Sequence, residues 1–168
     1  YDRFVEVCDP FLHQTSTARA PWIVVPGAEP RFRALTVGRH LLAAMRARLD
    51  DKATGARPDA TPPLPAPGDR LNVISALQLD QPLGKRSYAH ELEKWQGRLN
   101  LASRDPRFKA LSVVAVFEGN DGAGKGSAIR RVTHALDARQ YTTVPVAAPT
   151  EEERAQPYLW RFWRHLPR

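Results

Sequence analysis

Nine consecutive residues, Gly119 to Ser127, have the types and spacing of a loop that binds phosphate. They contain the core of the P-loop (Walker A) motif, which is a glycine, any four residues, a glycine and a lysine. The glycines permit backbone conformations in which successive amide N–H groups converge on phosphate oxygens. Lys125 would add a positive charge, and a helix beginning near Gly126 would add the positive end of its dipole. The predicted phosphate contacts are Gly119, Asn120, Asp121, Gly122, Ala123, Gly124, Lys125, Gly126 and Ser127, followed about one turn later by Arg130 and Arg131.

The residue after the lysine departs from the usual motif. Gly126 stands where a Ser or Thr normally holds Mg²⁺, and Ser127 comes one position later. The metal-binding role is therefore open to Ser127, to Asp121 or to a carboxylate elsewhere. Because hard oxygen ligands suit magnesium, Asp121 is the predicted Mg²⁺ ligand. The alternative to a phosphate-binding loop is that the glycines only form a tight strand-to-helix turn and that Lys125 is a solvated surface residue.

The elements around this loop predict an α/β fold. Residues 111–117 form an apolar run typical of a strand buried in a parallel sheet, and residues 128–138 have helical spacing. A second apolar run at 142–148 completes a strand–loop–helix–strand unit. The loop would then lie where a P-loop must lie, between a strand and a helix.

The rest of the chain is predicted to be mainly helical. Helical periodicity covers residues 4–12, although Pro10 should kink or end that helix, and it also covers residues 30–49 and 87–102. Residues 22–25 have the composition of a brief strand. Thr150 and Glu153 have capping-box spacing, and Pro157 suits the first turn of a further helix.

Composition limits the class of protein. The chain has 168 residues, 25 Lys and Arg against 18 Asp and Glu, and a net charge of +7, which would attract polyanions such as nucleic acid, acidic lipid or phosphate polymers. One cysteine permits neither an internal disulfide nor a zinc site of paired cysteines, which suits the cytoplasm. No membrane span or signal peptide is visible, and the chain does not begin with Met, so we expect a processed protein or a fragment.

Five of the 15 prolines lie between residues 58 and 67. Proline removes a backbone donor and restricts the residue before it, so this stretch predicts an extended linker over residues 53–70. The linker would separate residues 1–52 from residues 71–168.

Three blocks of the second part, in order, resemble the family-2 polyphosphate kinases. They are Phe117 to Ser127, Ala148 to Glu153 and Leu159 to Pro167, and the lysine followed by Gly126 matches that family. The first part resembles the end of a unit of the same family through Gln14 to Thr17, Ala20 to Trp22 and Arg31 to Leu49. The order predicts the C-terminal end of one unit, a linker and the N-terminal half of a second unit.

The resemblance implies a P-loop kinase-like parallel sheet with flanking helices, incomplete in this fragment. It is similar to the tandem members of the family, which implies transfer of a phosphoryl group from inorganic polyphosphate to AMP, giving ADP. Asp121 and Lys125 would be the catalytic residues, with Mg²⁺ held by Asp121. Because the second acidic motif and the lid would lie beyond Arg168, we expect the fragment itself to be inactive. The expected partners are polyphosphate and AMP or ADP, without nucleic acid or membrane, and a homo-oligomer is left open.

Three other interpretations remain at this stage. The loop is also similar to that of thymidylate kinases, which use ATP, but those have Ser or Thr where Gly126 stands. A non-catalytic module that binds polyphosphate is the second alternative. The alternating aromatic and basic residues 160–164 could stack nucleic-acid bases, although a core aromatic face with outward arginines is favoured.

Overall fold

The computed structural model describes residues 2–17, 20–50 and 77–167. These residues form α-helices and two short 3-10 turns, at Pro106–Ala110 and Ala138–Gln140. The helices are α1 (Asp2–Thr15), α2 (Pro30–Asp50), α3 (Lys85–Ser103), α4 (Lys125–Thr133), α5 (Glu151–Arg154) and α6 (Trp160–Trp163). None of the described helices is both long and apolar enough to cross a lipid bilayer.

The hydrophobic core lies where α2 packs against α3 and α4. Leu42 and Met45 of α2 contact Leu99 of α3 and Val132 of α4, and Ala135 closes the cluster just after α4. Leu42 is only 2% exposed. Burying a side chain of this size contributes about 1.5–3 kcal/mol. Helix α2 from the first part of the chain therefore holds together two helices of the second part.

Polar contacts fix the end of α4 against α3. The last carbonyls of a helix have no partner within it. The Gln96 side-chain amide donates to the Arg131 carbonyl at 2.8 Å, and the Asn100 amide donates to the Ala135 carbonyl at 2.8 Å. Two side chains of α3 thus satisfy carbonyls at and just beyond the last turn of α4 and set the distance between the two helices.

A charged and aromatic cluster joins α2 to α3. The Glu91 carboxylate accepts hydrogen bonds from the Trp95 indole at 2.7 Å and from the Arg39 guanidinium at 3.0 Å. The guanidinium carbons of Arg39 and Arg98 lie 5.1 and 4.9 Å from the centre of the Trp95 ring, within cation–π range. The indole hydrogen bond, followed by those from Lys94 and Arg39, lowers the pKa of Glu91 to about 2. Glu91 is therefore ionised at neutral pH.

The prediction of an α/β, P-loop kinase-like parallel sheet is wrong for the described residues, which form no strand. A strand is stable when its N–H and C=O groups pair with a neighbouring strand. Apart from the Leu111 amide, which donates to the Phe108 carbonyl of the preceding 3-10 turn, residues 111–117 and 142–148 form no backbone-to-backbone hydrogen bonds with each other or with other described residues. Their side chains are accordingly exposed, at 58% for Val114, 74% for Val116 and 60% for Val146. The strand predicted at residues 22–25 is also absent.

The helix predictions fared better. The predicted helices at residues 30–49 and 87–102 are confirmed as α2 and α3. Helix α1 continues through Pro10, so it does not end there, and α4 ends at Thr133 instead of residue 138. The capping box is confirmed, because Thr150 Oγ accepts from the Glu153 amide and the Glu153 carboxylate accepts from the Thr150 amide.

The predicted linker, residues 53–70, lies outside the described residues. The boundaries of 1–52 and 71–168 stay a prediction.

Candidate phosphate-binding site

The loop before α4 is shaped by three glycines with positive φ angles. Gly119, Gly122 and Gly124 have φ values of 147°, 77° and 80°, and no other described residue has a positive φ. Residues with a β-carbon rarely adopt this region, because the β-carbon then crowds the backbone. The glycine spacing that predicted the loop is therefore the spacing that its backbone requires.

The start of α4 presents free amide groups to the loop. Gly124 is the N-cap residue and offers no capping side chain. Among the described residues, none accepts a hydrogen bond from the amides of Gly124, Lys125, Gly126 or Ser127. Unpaired amides at the positive end of a helix dipole attract anions. The arrangement suits a phosphate group.

Lys125 lies at this helix start with its ammonium folded over the loop. Its Nζ donates to the Gly119 carbonyl at 2.6 Å and to the Asn120 carbonyl at 2.8 Å. Because an ammonium has three N–H donors, one remains for an anion. The lysine thus connects the end of the loop to its first two residues by hydrogen bonds and places a positive charge beside the free amides.

Asp121 and Ser127, the two named candidates for the magnesium ligand, differ in how far they are already engaged. Asp121 is exposed, and one carboxylate oxygen accepts from the Gly122 amide at 3.0 Å. The Ser127 hydroxyl donates to the Gly124 carbonyl at 2.9 Å and accepts from Arg33. No cluster of three or more His, Cys, Asp or Glu side chains occurs in the described part of the chain. Mg²⁺ is commonly held by one or two carboxylates together with waters and phosphate oxygens. Asp121 fits that pattern better than Ser127 does.

Arg130 and Arg131, the two arginines predicted to extend the site, point to different surroundings. Arg131 donates to the Tyr88 hydroxyl and, at 2.9 Å, to the Ser127 carbonyl, so it joins α4 to α3. Arg130 is exposed. Arg131 is therefore already engaged in helix packing, whereas Arg130 remains accessible.

One residue beside the loop was missed by the sequence reasoning. Arg33, in the first turns of α2, donates from Nη2 to Ser127 Oγ at 3.1 Å and from Nη1 to the Gly27 carbonyl. It precedes Ser127 by 94 positions. No signal in the sequence separates it from the other arginines of α2.

Most of this chain is similar in sequence to known proteins. The family model described as Polyphosphate kinase 2 (PPK2) matches residues 1–53 and 82–168. A Pseudomonas aeruginosa protein named polyphosphate:AMP phosphotransferase is 56% identical over 99% of this chain, which covers 34% of that protein. A protein of the same name from Pseudomonas syringae pv. tomato is 49% identical, with the same two coverages.

A solved structure gives the same result. A crystal structure described as a polyphosphate kinase 2 from Pseudomonas aeruginosa PA01 matches with a TM-score of 0.56 and 54% identity, over 99% of this chain and 33% of that chain. The chain therefore spans about a third of the length of the relatives it matches. The family expected from the three sequence blocks is confirmed: the chain belongs to the polyphosphate kinase 2 family.

Proposed function

We propose that the protein to which this chain belongs transfers a phosphoryl group from inorganic polyphosphate to AMP, giving ADP. One observation carries the proposal: the loop at residues 119–127 combines three positive-φ glycines, four free amides and the Lys125 ammonium in one anion site. The names of the two Pseudomonas relatives support polyphosphate and AMP as the two substrates.

The proposed mechanism follows from the nature of phosphoryl transfer. The reaction needs little covalent help from a protein and depends mainly on alignment and on neutralising the charge of the phosphate oxygens. The amides from Gly124 to Ser127 would align a terminal phosphate of the polyphosphate chain. Lys125 would exchange one or both loop carbonyls for phosphate oxygens, and Arg130 would contact the next phosphate along the chain.

Asp121 completes the proposed catalytic pair with Lys125. Mg²⁺, when bound, would neutralise part of the charge on the phosphate groups, and the Asp121 carboxylate is the group of this loop that would hold it. Arg131 and Ser127 would contribute by keeping α4 and its amides in place. The net charge of +7 supports a polyanionic substrate.

The test is an assay of the full-length protein for ADP formation from AMP, polyphosphate and Mg²⁺. We expect ADP to form when polyphosphate is the phosphoryl donor. We expect no ADP when ATP replaces polyphosphate as the sole donor. Lys125→Ala should lower kcat by about 10²–10³-fold, the usual effect of removing one group that stabilises transferring charge. The matched control is Lys109→Ala, at an exposed lysine of the Pro106–Ala110 turn, which should leave kcat unchanged.

Two results would refute the proposal. A wild-type protein that phosphorylates AMP only from ATP would be an ordinary nucleotide kinase. A wild-type protein that binds polyphosphate and forms no product would be a binding module. Asp121→Asn addresses the metal: it should raise the Mg²⁺ concentration needed for half-maximal activity, and an unchanged requirement would remove Asp121 from the magnesium site.

A further inference from the structure

Arg33 of α2 contacts the phosphate loop directly, from the first part of the chain. Its guanidinium packs on the Gly124 backbone so closely that a β-carbon built on Gly124 would lie 2.1 Å from Arg33 Cζ. Only a residue without a side chain leaves room for this contact. Gly27, which accepts a hydrogen bond from Arg33, also lies against the loop, since a β-carbon built there would meet the Ala123 carbonyl oxygen at 3.5 Å.

The hydrogen bonds of Arg33 are incomplete. Its two terminal nitrogens have acceptors, but Nε is buried without one. No carboxylate among the described residues forms an ion pair with Arg33. Arg33 as a whole is half-buried, and a buried N–H donor such as its Nε is costly to leave without a partner. The anion site formed by the loop and the α4 amides is the adjacent place where such a charge would bind.

The contact also acts on the loop itself. Arg33 donates to the Ser127 hydroxyl, which in turn donates to the Gly124 carbonyl. These two hydrogen bonds connect Arg33 to the carbonyl of the α4 N-cap residue, Gly124, which has the left-handed conformation with φ 80°. That conformation is the one in which the α4 amides are left free for an anion.

We propose that Arg33 is a positioning residue of the phosphate site: through Ser127 and Gly124 it keeps the loop open to phosphate, and it adds positive charge from a segment that precedes the loop by about 90 residues. This inference rests on the proposed function of the loop. It assigns the first part of the chain a role in the site of the second part.

The experiment compares full-length wild type, Arg33→Ala, Arg33→Lys and the control Arg39→Ala. Arg39 is an exposed arginine of the same helix whose partner is Glu91. Binding of inorganic polyphosphate is measured by calorimetry. The KM for polyphosphate and kcat are measured with AMP as the phosphoryl acceptor. Loss of a charge-assisted hydrogen bond predicts a KM for polyphosphate about 10- to 100-fold higher in Arg33→Ala. Arg33→Lys should recover part of that loss, and Arg39→Ala should equal wild type.

A double-mutant cycle with Ser127→Ala tests the route of the effect. If Arg33 acts through Ser127, the double variant should bind polyphosphate no more weakly than the weaker of the two single variants. Losses that multiply would overturn that route. Thermal unfolding of each variant identifies any that fails to fold. If Arg33→Ala does not fold, the polyphosphate affinity of Arg33→Lys tests the role of Arg33.

The inference and the proposed function fail in different ways. If the proposed function is wrong, wild type itself neither binds polyphosphate nor uses it. If the inference is wrong, wild type uses polyphosphate and both Arg33 variants bind it as tightly as wild type does, with lower thermal stability as their only change.

Discussion

Gly124→Ala should be the most damaging single-methyl substitution in the phosphate loop. The position has a φ of 80°, a conformation that costs a residue with a β-carbon about 1–2 kcal/mol. The new methyl would also displace the Arg33 guanidinium, whose nearest atoms lie 2.1 Å from it. Arg33 would then lose its hydrogen bonds to Ser127 and Gly27, at about 0.5–1.5 kcal/mol each. The expected loss in unfolding free energy is about 2–5 kcal/mol.

The neighbouring glycines supply matched controls. Gly122 has a φ of 77° and open space around a built β-carbon, so Gly122→Ala should cost only the backbone part, about 1–2 kcal/mol. Gly126 lies within α4, without a positive φ and with nothing within 4 Å of the added methyl. Gly126→Ala should therefore stabilise the protein by about 0.4–1 kcal/mol.

Urea denaturation of the full-length variants, followed by tryptophan fluorescence, measures these differences. The order of stability should be Gly126→Ala, wild type, Gly122→Ala and Gly124→Ala. In an Arg33→Ala background, Gly124→Ala should cost no more than Gly122→Ala does, because the displaced group is gone. If Gly124→Ala costs the same as Gly122→Ala in the wild-type background, Arg33 moves aside without losing its hydrogen bonds, and the additional cost predicted for Gly124→Ala is wrong.

Three further substitutions test the rest of the fold. Leu42→Ala, in the core of α2, should cost about 2–5 kcal/mol in a denaturation experiment, whereas the exposed Leu101→Ala should cost far less. Glu91→Gln should lose a stabilisation that wild type has above pH 4.5 and loses as the pH falls from about 4.5 to about 2, because a lowered pKa means that the folded state favours the ionised form. A pH series of melting temperatures would show the two proteins converging toward pH 2, and parallel curves would contradict this. Thr150→Ala removes the cap of α5 and should cost about 0.5–2 kcal/mol locally, detectable as faster amide exchange at Glu153.

The features that sequence predicted correctly are local ones. The positive φ values of the loop follow from its glycines, and the capping box follows from two residues three positions apart. Helices α2 and α3 follow from apolar periodicity over about five turns each. Each of these depends on residues close together in the chain, so their types alone were informative.

The features that sequence did not predict depend on distant pairing. Residues 111–117 are apolar enough for a buried strand, but a run of that kind becomes a strand only if another strand pairs with it. Arg33 is missed for a related reason: nothing in the pattern of α2 indicates that one of its arginines contacts a loop 94 positions later. The site residues of the loop itself stay predictions until the variants above are assayed.

The position of α2 in the core has a consequence for where this chain can be divided. Leu42 and Met45 come from the part before residue 51, yet they cover Leu99 and Val132 of the part after residue 76. Cutting the chain between those points breaks no contact of this core, so the two pieces should stay associated after proteolysis and should copurify. A piece that begins at residue 77 and lacks α2 would leave Leu99 and Val132 open to water. To be stable when expressed separately, the second part therefore needs residues 30–50, either kept in the same chain or supplied as a peptide.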